Sequence, residues 1–330
     1  MTILDSDQLK HEKLSFSERV QLEISKFLNT IGLKRLSNAL WNDIYNNRLT
    51  PAKAVEITCR KFRIHLLKAR KDDAGLMKFA TENQLPNGLV PFFHRGTKSD
   101  FGVLGQIFVS KDYDLSRLQR WAEIDHIYEY VVNSGKKPLI IDAGANIGAS
   151  VIWFTKYFPN AHICAFEPEH ENFTILETNV KEYQSAGDIQ IVQAAVGAVD
   201  GFVDIVDAGQ GECGFRTEIT SDGNTLLVSL ARFVSEKASE GYVPFIVKID
   251  IEGGEEQLFS QDCEWINAFP LIIIELHDWL IPRKMTSKPF IKFISTQNRD
   301  FVYIGENIFS ISNAIGGADE ASDALPSARK

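Results

Sequence analysis

Five polar residues in the C-terminal half fall at spacings that suit chemistry. Lys248, Asp250 and Glu252 alternate at period two, so an extended strand puts them on one face or rim, and Glu275 and His277 follow the same rule. Carboxylates, an ammonium and an imidazole converging at two strand ends fit an acceptor that must be oriented and stripped of a proton. His277, with an ordinary pKa of about 6.5, suits a base near neutral pH, the bland alternative being a ring packed against Trp279. Lys248 has a structural reading too, as a partner of Asp250 or Glu275 in a partly buried network. Asp250, Glu275 and His277 would also offer oxygen and imidazole ligands to a divalent metal, although they form no compact ligand motif. Glu255 and Glu256 open the next helix, where acids suit the dipole.

A second constellation lies upstream, in Asp142-Ala-Gly144-Ala145-Asn146-Ile-Gly148-Ala-Ser150. Pro138-Leu-Ile-Ile141 before it is a short apolar run that reads as a buried parallel strand. Ile147, Val151, Ile152 and Phe154 after it recur at near-helical spacing, so a helix follows. Glycines at such a turn let the backbone approach a ligand, and the helix N-terminus presents free N–H groups. A dinucleotide fingerprint wants three glycines as G-x-G-x-x-G; this turn has an acid in front and no central glycine. Asp142 would repel a pyrophosphate and welcome a cation. S-adenosylmethionine fits, with its ammonium, sulfonium and adenosine and no phosphate. The next strand, His162-Ile-Cys-Ala-Phe-Glu167, ends in an acid that suits both ribose hydroxyls.

Strands and helices alternate around these sites, as a parallel sheet demands. The patterning predicts strands near 138–143, 162–167, 189–194, 244–250 and 270–276, and helices near 147–158, 169–183, 229–239, 254–263 and 284–297. Phe301-Val-Tyr-Ile304, a Gly305-Glu-Asn turn and Ile308-Phe-Ser-Ile311 predict a closing antiparallel hairpin. Alternation around Phe202 to Val206 suggests a strand pair inserted after the third strand, and the Gly209–Gly214 loop with Arg216 reads as a substrate lid.

Residues 104–311 resemble the FkbM-type family of S-adenosylmethionine-dependent methyltransferases. The matching pieces are Ile141 to Gly148, then Ala165-Phe-Glu-Pro168 with Asn172 and Asn179, and Gln193-Ala-Ala195-Val-Gly197. Val247-Lys-Ile-Asp-Ile-Glu-Gly253 with Glu255, Ile272 to His277, and Phe108 to Tyr113 complete the set. The resemblance implies an α/β class I methyltransferase (Rossmann-like) sheet with a C-terminal antiparallel hairpin. It implies O-methylation, usually of a hydroxyl on a sugar, glycolipid or other natural product. Cofactor contacts would come from Asp142, Gly144, Ala145, Asn146, Gly148, Ser150, Glu167, Pro168, Asn172 and Ala195. Asp250 would occupy the family's fourth motif, orienting the acceptor or the cofactor ammonium, with Glu252 beside it and Lys248 and His277 completing the catalytic set.

The flanks differ in kind. Stripes at Val20 to Ile31, Leu36 to Ile44 and Val55 to Leu66, the last capped by Thr50-Pro51, predict a small all-helical N-terminal region. The expected division is a helical cap over 1–98, the methyltransferase domain over 99–313 and a disordered tail over 314–330. Arg60, Lys61, Arg63, Lys68, Arg70 and Lys71 read first as a solvated face and second as a dock for an anionic partner. A net charge of −9 argues against nucleic acid, and no apolar run nears the roughly 20 residues of a membrane span. Four scattered cysteines and an N-terminus without a signal pattern read as cytoplasmic. The expected partner is a small-molecule or glycan acceptor, and the N-terminal helices leave room for a homodimer. Competing readings are an N-methyltransferase, an NAD-dependent sugar-modifying oxidoreductase, and a non-catalytic cofactor-binding scaffold.

Overall fold

The computed structural model describes residues 64–65, 77–81, 90–95, 98–181, 183, 188–207, 215–219 and 223–315. The first two helical stripes, the basic run, the 209–214 loop and the tail beyond 315 lie outside the described residues, as does the Arg216 side chain. The chain divides into two compact units, Met1–Lys111 and Asp112–Lys330.

In the first unit β1 (Ile64–His65), β2 (Met77–Thr81) and β3 (Val90–His94) form an antiparallel sheet in that order. This corrects the all-helical expectation for 1–98: Ile64 and His65, on the predicted third stripe, pair with Thr81 and Ala80. A short run such as Phe62 to Leu66 fits either period, and sheet partners decide it. Helix α1 (Lys98–Leu104) follows and runs into a π-helical turn, Gly105–Val109. The unit ends later than the boundary expected at residue 98, and the Phe92 and Phe108 rings meet edge to face at 5.7 Å within it.

The second unit is built on a seven-stranded sheet of order β13-β14-β12-β11-β4-β5-β6. Its strands are β4 (Pro138–Ala143), β5 (His162–Phe166), β6 (Asp188–Val192), β11 (Val243–Ile249), β12 (Leu271–Glu275), β13 (Arg299–Ile304) and β14 (Asn307–Ser312). The first five pair in parallel, and β14 and β13 close the sheet as an antiparallel hairpin. All six residues of β4 are buried, which is why the run reads as continuously apolar around Asp142. The chain winds outward from β4 through β5 to β6, then returns to the other side of β4 with β11. The carboxyl ends of β4 and β11 are therefore the switch point where open α/β sheets bind ligands.

Helices cover the faces. α2 (Trp121–Asn133), which the motif-led reading passes over, buries Ile124, Tyr128 and Val131 at helical spacing. α3 (Ala149–Tyr157) is buried along Ala149 to Thr155, α4 (His170–Val180) follows β5, and α5 (Leu230–Ser239) precedes β11. The helix expected over 254–263 is only α6 (Glu255–Leu258), because Asp262 adopts a left-handed conformation (φ +49°) and a 3-10 turn takes over at Cys263. The last helix, expected near 284, is α7 (Lys288–Ile294): Thr286 and Ser287 are bonded to the Asp278 carboxylate instead. The inserted strand pair is a four-stranded sheet, β7 (Ala195–Gly197), β8 (Gly201–Asp207), β9 (Phe215–Ile219) and β10 (Thr225–Ser229), of order β7-β10-β8-β9. Among the described residues no helix is long and apolar enough to cross a membrane.

Candidate functional site

A pocket opens over the carboxyl ends of β4, β5 and β11. The turn after β4 forms its floor. Gly144 has φ +83°, and a Cβ there would lie 1.7 Å from the Asp250 carbonyl oxygen, so the residue must be glycine. Asp250 N in turn donates to Ala143 O at 3.0 Å. The β4 and β11 turns are thus in direct backbone contact.

Glu167, at the end of β5, lines the pocket and is nearly buried. Its Oε2 accepts from Asn146 N at 2.8 Å and its Oε1 from Glu169 N at 3.0 Å, with Asn172 Nδ2 at 3.5 Å. Burial pushes its carboxyl up to about 7, against the pull of these N–H groups. A carboxylate has about four lone-pair sites, so acceptor capacity remains for ligand hydroxyls.

Asp142 behaves differently from the expectation. It is fully buried and does not line the pocket: Oδ2 accepts from Ser150 Oγ at 2.5 Å, and Oδ1 lies 3.1 Å from Lys248 Nζ. Lys248 also donates to Gly144 O at 2.5 Å and lies 3.5 Å from Asp250 Oδ2. Burial works against the Lys248 charge, but Asp142 and then Asp250 outweigh it and hold the ammonium above its usual range. The reason is register: Lys248 and Asp142 are direct partners on adjacent parallel strands. Lys248 is a buried brace for the floor, the structural alternative entertained for it, and Ser150 is tied into the same brace.

The predicted residues therefore separate. Gly144, Asn146, Glu167, Pro168, Asn172 and Ala195 line the pocket, as do Asp250 and Glu252. Ala145 and Gly148 shape the turn instead: Ala145 N donates to Phe166 O, and a Cβ on Gly148 would come 2.7 Å from Leu176 Cδ1. Phe166, Ala194, Val196 and Ile251 give the pocket apolar walls that the sequence reading did not single out, although each neighbours a motif residue.

His277 is buried beside the pocket, with Nδ1 2.6 Å from Glu255 Oε1. Its Nε2 faces Asp250 and Glu275 at 3.5 Å and Glu252 at 3.8 Å. Burial alone would lower its pKa, but Glu255, Glu275 and Asp250 raise it to about 11. The surrounding carboxylates thus favour the protonated ring, which stands against the base role expected for it. Burial followed by Asp250 pushes Glu252 up to about 8, and burial also raises Glu275. The expected metal set also changes: the ligand atoms that converge belong to Asp250, Glu252 and His277. Glu255, which the sequence marks only as a helix-start acid and a motif match, is fully buried and holds the ring.

The family profile described as "Methyltransferase FkbM domain" matches residues 142–303, from the first strand-end acid to the closing hairpin. Methyltransferase sdnD of Sordaria araneosa is 26% identical over 128 residues, 39% of this chain and 49% of that protein, so the chain spans about half the length of that relative. Among solved structures, methyltransferase FkbM from Methylobacillus flagellatus KT is 15% identical with a TM-score of 0.35, over 53% of this chain and 43% of that one. Magnesium protoporphyrin IX methyltransferase from Synechocystis PCC 6803 is 10% identical with a TM-score of 0.30, over 64% of this chain and 83% of that one. The match to the FkbM methyltransferase domain thus runs over the strands and turns that build the pocket.

Proposed function

We propose that this chain transfers a methyl group from S-adenosylmethionine to a hydroxyl oxygen of a sugar, glycolipid or other natural product. One observation carries the reading. Glu167, Asp250 and Glu252 line the pocket, and among the described residues no lysine or arginine does. Such a lining repels a pyrophosphate and attracts a ligand with two positive centres. The charge argument first attached to Asp142 passes to these three acids, because Lys248 neutralises Asp142.

The residues fit the cofactor. Glu167 takes the ribose hydroxyls with its spare lone pairs, the apolar walls at Phe166, Ala194 and Val196 receive the adenine, and Asp250 receives the ammonium. The bound sulfonium supplies the activated methyl group. The chain holds the acceptor oxygen in line and excludes water. A hydroxyl acceptor must give up a proton, and the carboxylates that line the pocket, Asp250 and Glu252, are the groups placed to take it. An amine arriving as its free base needs no such acceptor, and this favours oxygen over nitrogen.

Calorimetric titration with S-adenosylmethionine and, in parallel, with NAD tests the reading. Binding of S-adenosylmethionine alone is expected, after which hydroxylated glycans and natural products are assayed for methyl incorporation. Binding of NAD alone, or of neither, overturns it.

A further inference from the structure

Four acids in and beside the pocket crowd around one histidine. Asp250, Glu252, Glu255 and Glu275 all surround one imidazole, and among the described residues the ammonium paired with this group, Lys248, is committed to Asp142 as well as Asp250. Carboxylates so crowded are costly unless they bind protons or a cation. A second observation points to the cation. His277 is 1% exposed, and its Nε2 is aimed into the gap between Asp250, Glu252 and Glu275 with every oxygen at 3.5 Å or beyond. That is long for a charge-assisted hydrogen bond, whose usual length is about 2.7–2.9 Å. The ring's other nitrogen is fixed by Glu255, the arrangement in which a carboxylate orients a metal-bound histidine. One ligand atom from each of Asp250, Glu252 and His277 lies within 4.8 Å of the others.

We propose that Asp250, Glu252 and His277 form a divalent-cation site beside the pocket, oriented by Glu255, in which the ion takes the place of the Nε2 proton. Two carboxylates and one imidazole suit Mn²⁺ or a neighbouring first-row ion better than Ca²⁺, whose sites are all oxygen. Asp250 and Glu252 also line the pocket, so an ion held by them would lie against it. The proposal deepens the methyl-transfer reading by placing the ion where the acceptor oxygen arrives, but the site itself is testable without turnover.

The full chain, stripped with a chelator and dialysed, is titrated with Mn²⁺, and free ion is read from its electron paramagnetic resonance signal. One bound ion per chain is expected. Asp250→Asn and Glu252→Gln, at partly exposed positions, are expected to weaken binding at least about tenfold while the circular dichroism spectrum is unchanged. Glu255→Gln, which acts through the ring, is expected to weaken it about 10–100-fold. The exposed Asp262→Asn serves as control and is expected to bind as wild type. No bound ion, or equal binding in wild type, Asp250→Asn and Glu252→Gln, overturns the proposal. Separate calorimetry of the stripped protein with S-adenosylmethionine keeps the two readings apart. Cofactor binding without Mn²⁺ binding refutes the metal site alone, and Mn²⁺ binding without cofactor binding refutes the methyltransferase reading alone.

Discussion

Glu167→Gln isolates the cost of keeping a buried carboxylate ready for a ligand. In the folded protein burial holds the Glu167 carboxyl at about 7, against an ordinary value near 4.5 in the unfolded chain. The native state therefore binds this proton more tightly than the unfolded state. Its stabilising contribution is fully present below pH 4.5 and is lost as pH rises to 7 and beyond. At 1.36 kcal/mol per pKa unit the loss amounts to about 3 kcal/mol. Glutamine has nearly the same shape and cannot ionise, so it escapes this loss. It gives up one of the two backbone N–H bonds, from Asn146 or Glu169, that the carboxylate accepts, a cost of about 1 kcal/mol that does not vary with pH. The assay is urea denaturation of both proteins at a series of pH values from 4.5 to 8.5. Subtracting one stability curve from the other cancels every titration they share. The difference should move in favour of the variant by about 3 kcal/mol across that range, while the variant loses S-adenosylmethionine binding throughout. A flat difference, or one that moves in favour of wild type as pH rises, would refute the account of Glu167.

The floor of the pocket yields the other predictions. Gly144→Ala drives a Cβ against the Asp250 carbonyl and asks alanine for φ +83°, so a loss on the order of 4 kcal/mol is expected in thermal unfolding; a wild-type Tm would show that the two turns are not in contact. Lys248→Met leaves Asp142 buried without its counter-charge and should cost about 3–5 kcal/mol. Adding Asp142→Asn to Lys248→Met should recover much of that, with a coupling energy above about 1 kcal/mol in the double-mutant cycle; strict additivity would mean the two do not interact.

The parts of this fold that the sequence reveals are those fixed by local pattern. β4, β5, β11 and β12 are short runs of buried aliphatics between turn residues, and the closing hairpin is signalled by Gly305 between two β-rich runs. α2 was equally legible, from Ile124, Tyr128 and Val131, but it carries no motif residue. What escaped depends on which strands become neighbours. Lys248 and Asp250 share a strand face by period two, but only the placement of β11 beside β4 sets Lys248 opposite Asp142 and removes that acid from the pocket lining. The sequence thus located the acids of the site but not their division of labour. The same holds for Glu255, whose bond to His277 joins a helix start to the end of a different strand. Of the second sheet only a strand pair around Phe202 to Val206 is legible, for a related reason: β7 pairs in parallel with β10, which no hairpin signal announces.

The contact between Gly144 and the Asp250 backbone has an implication for how such a domain diversifies. Two turns about a hundred residues apart in the chain are joined at this seam by Asp250 N donating to Ala143 O, with no room for a side chain between them. A substitution that altered one turn would displace the other, so the distance between the cofactor half of the pocket and its acid-bearing half is inherited as a unit. The segment after β12 is anchored differently, by side-chain bonds from Thr286 and Ser287 to Asp278, and between those anchors it presents Trp279 and Met285 to solvent. Insertions and exchanges between those anchors need not disturb the seam. Residues 279–285 can therefore vary while the seam, and with it the pocket floor, is carried along unchanged.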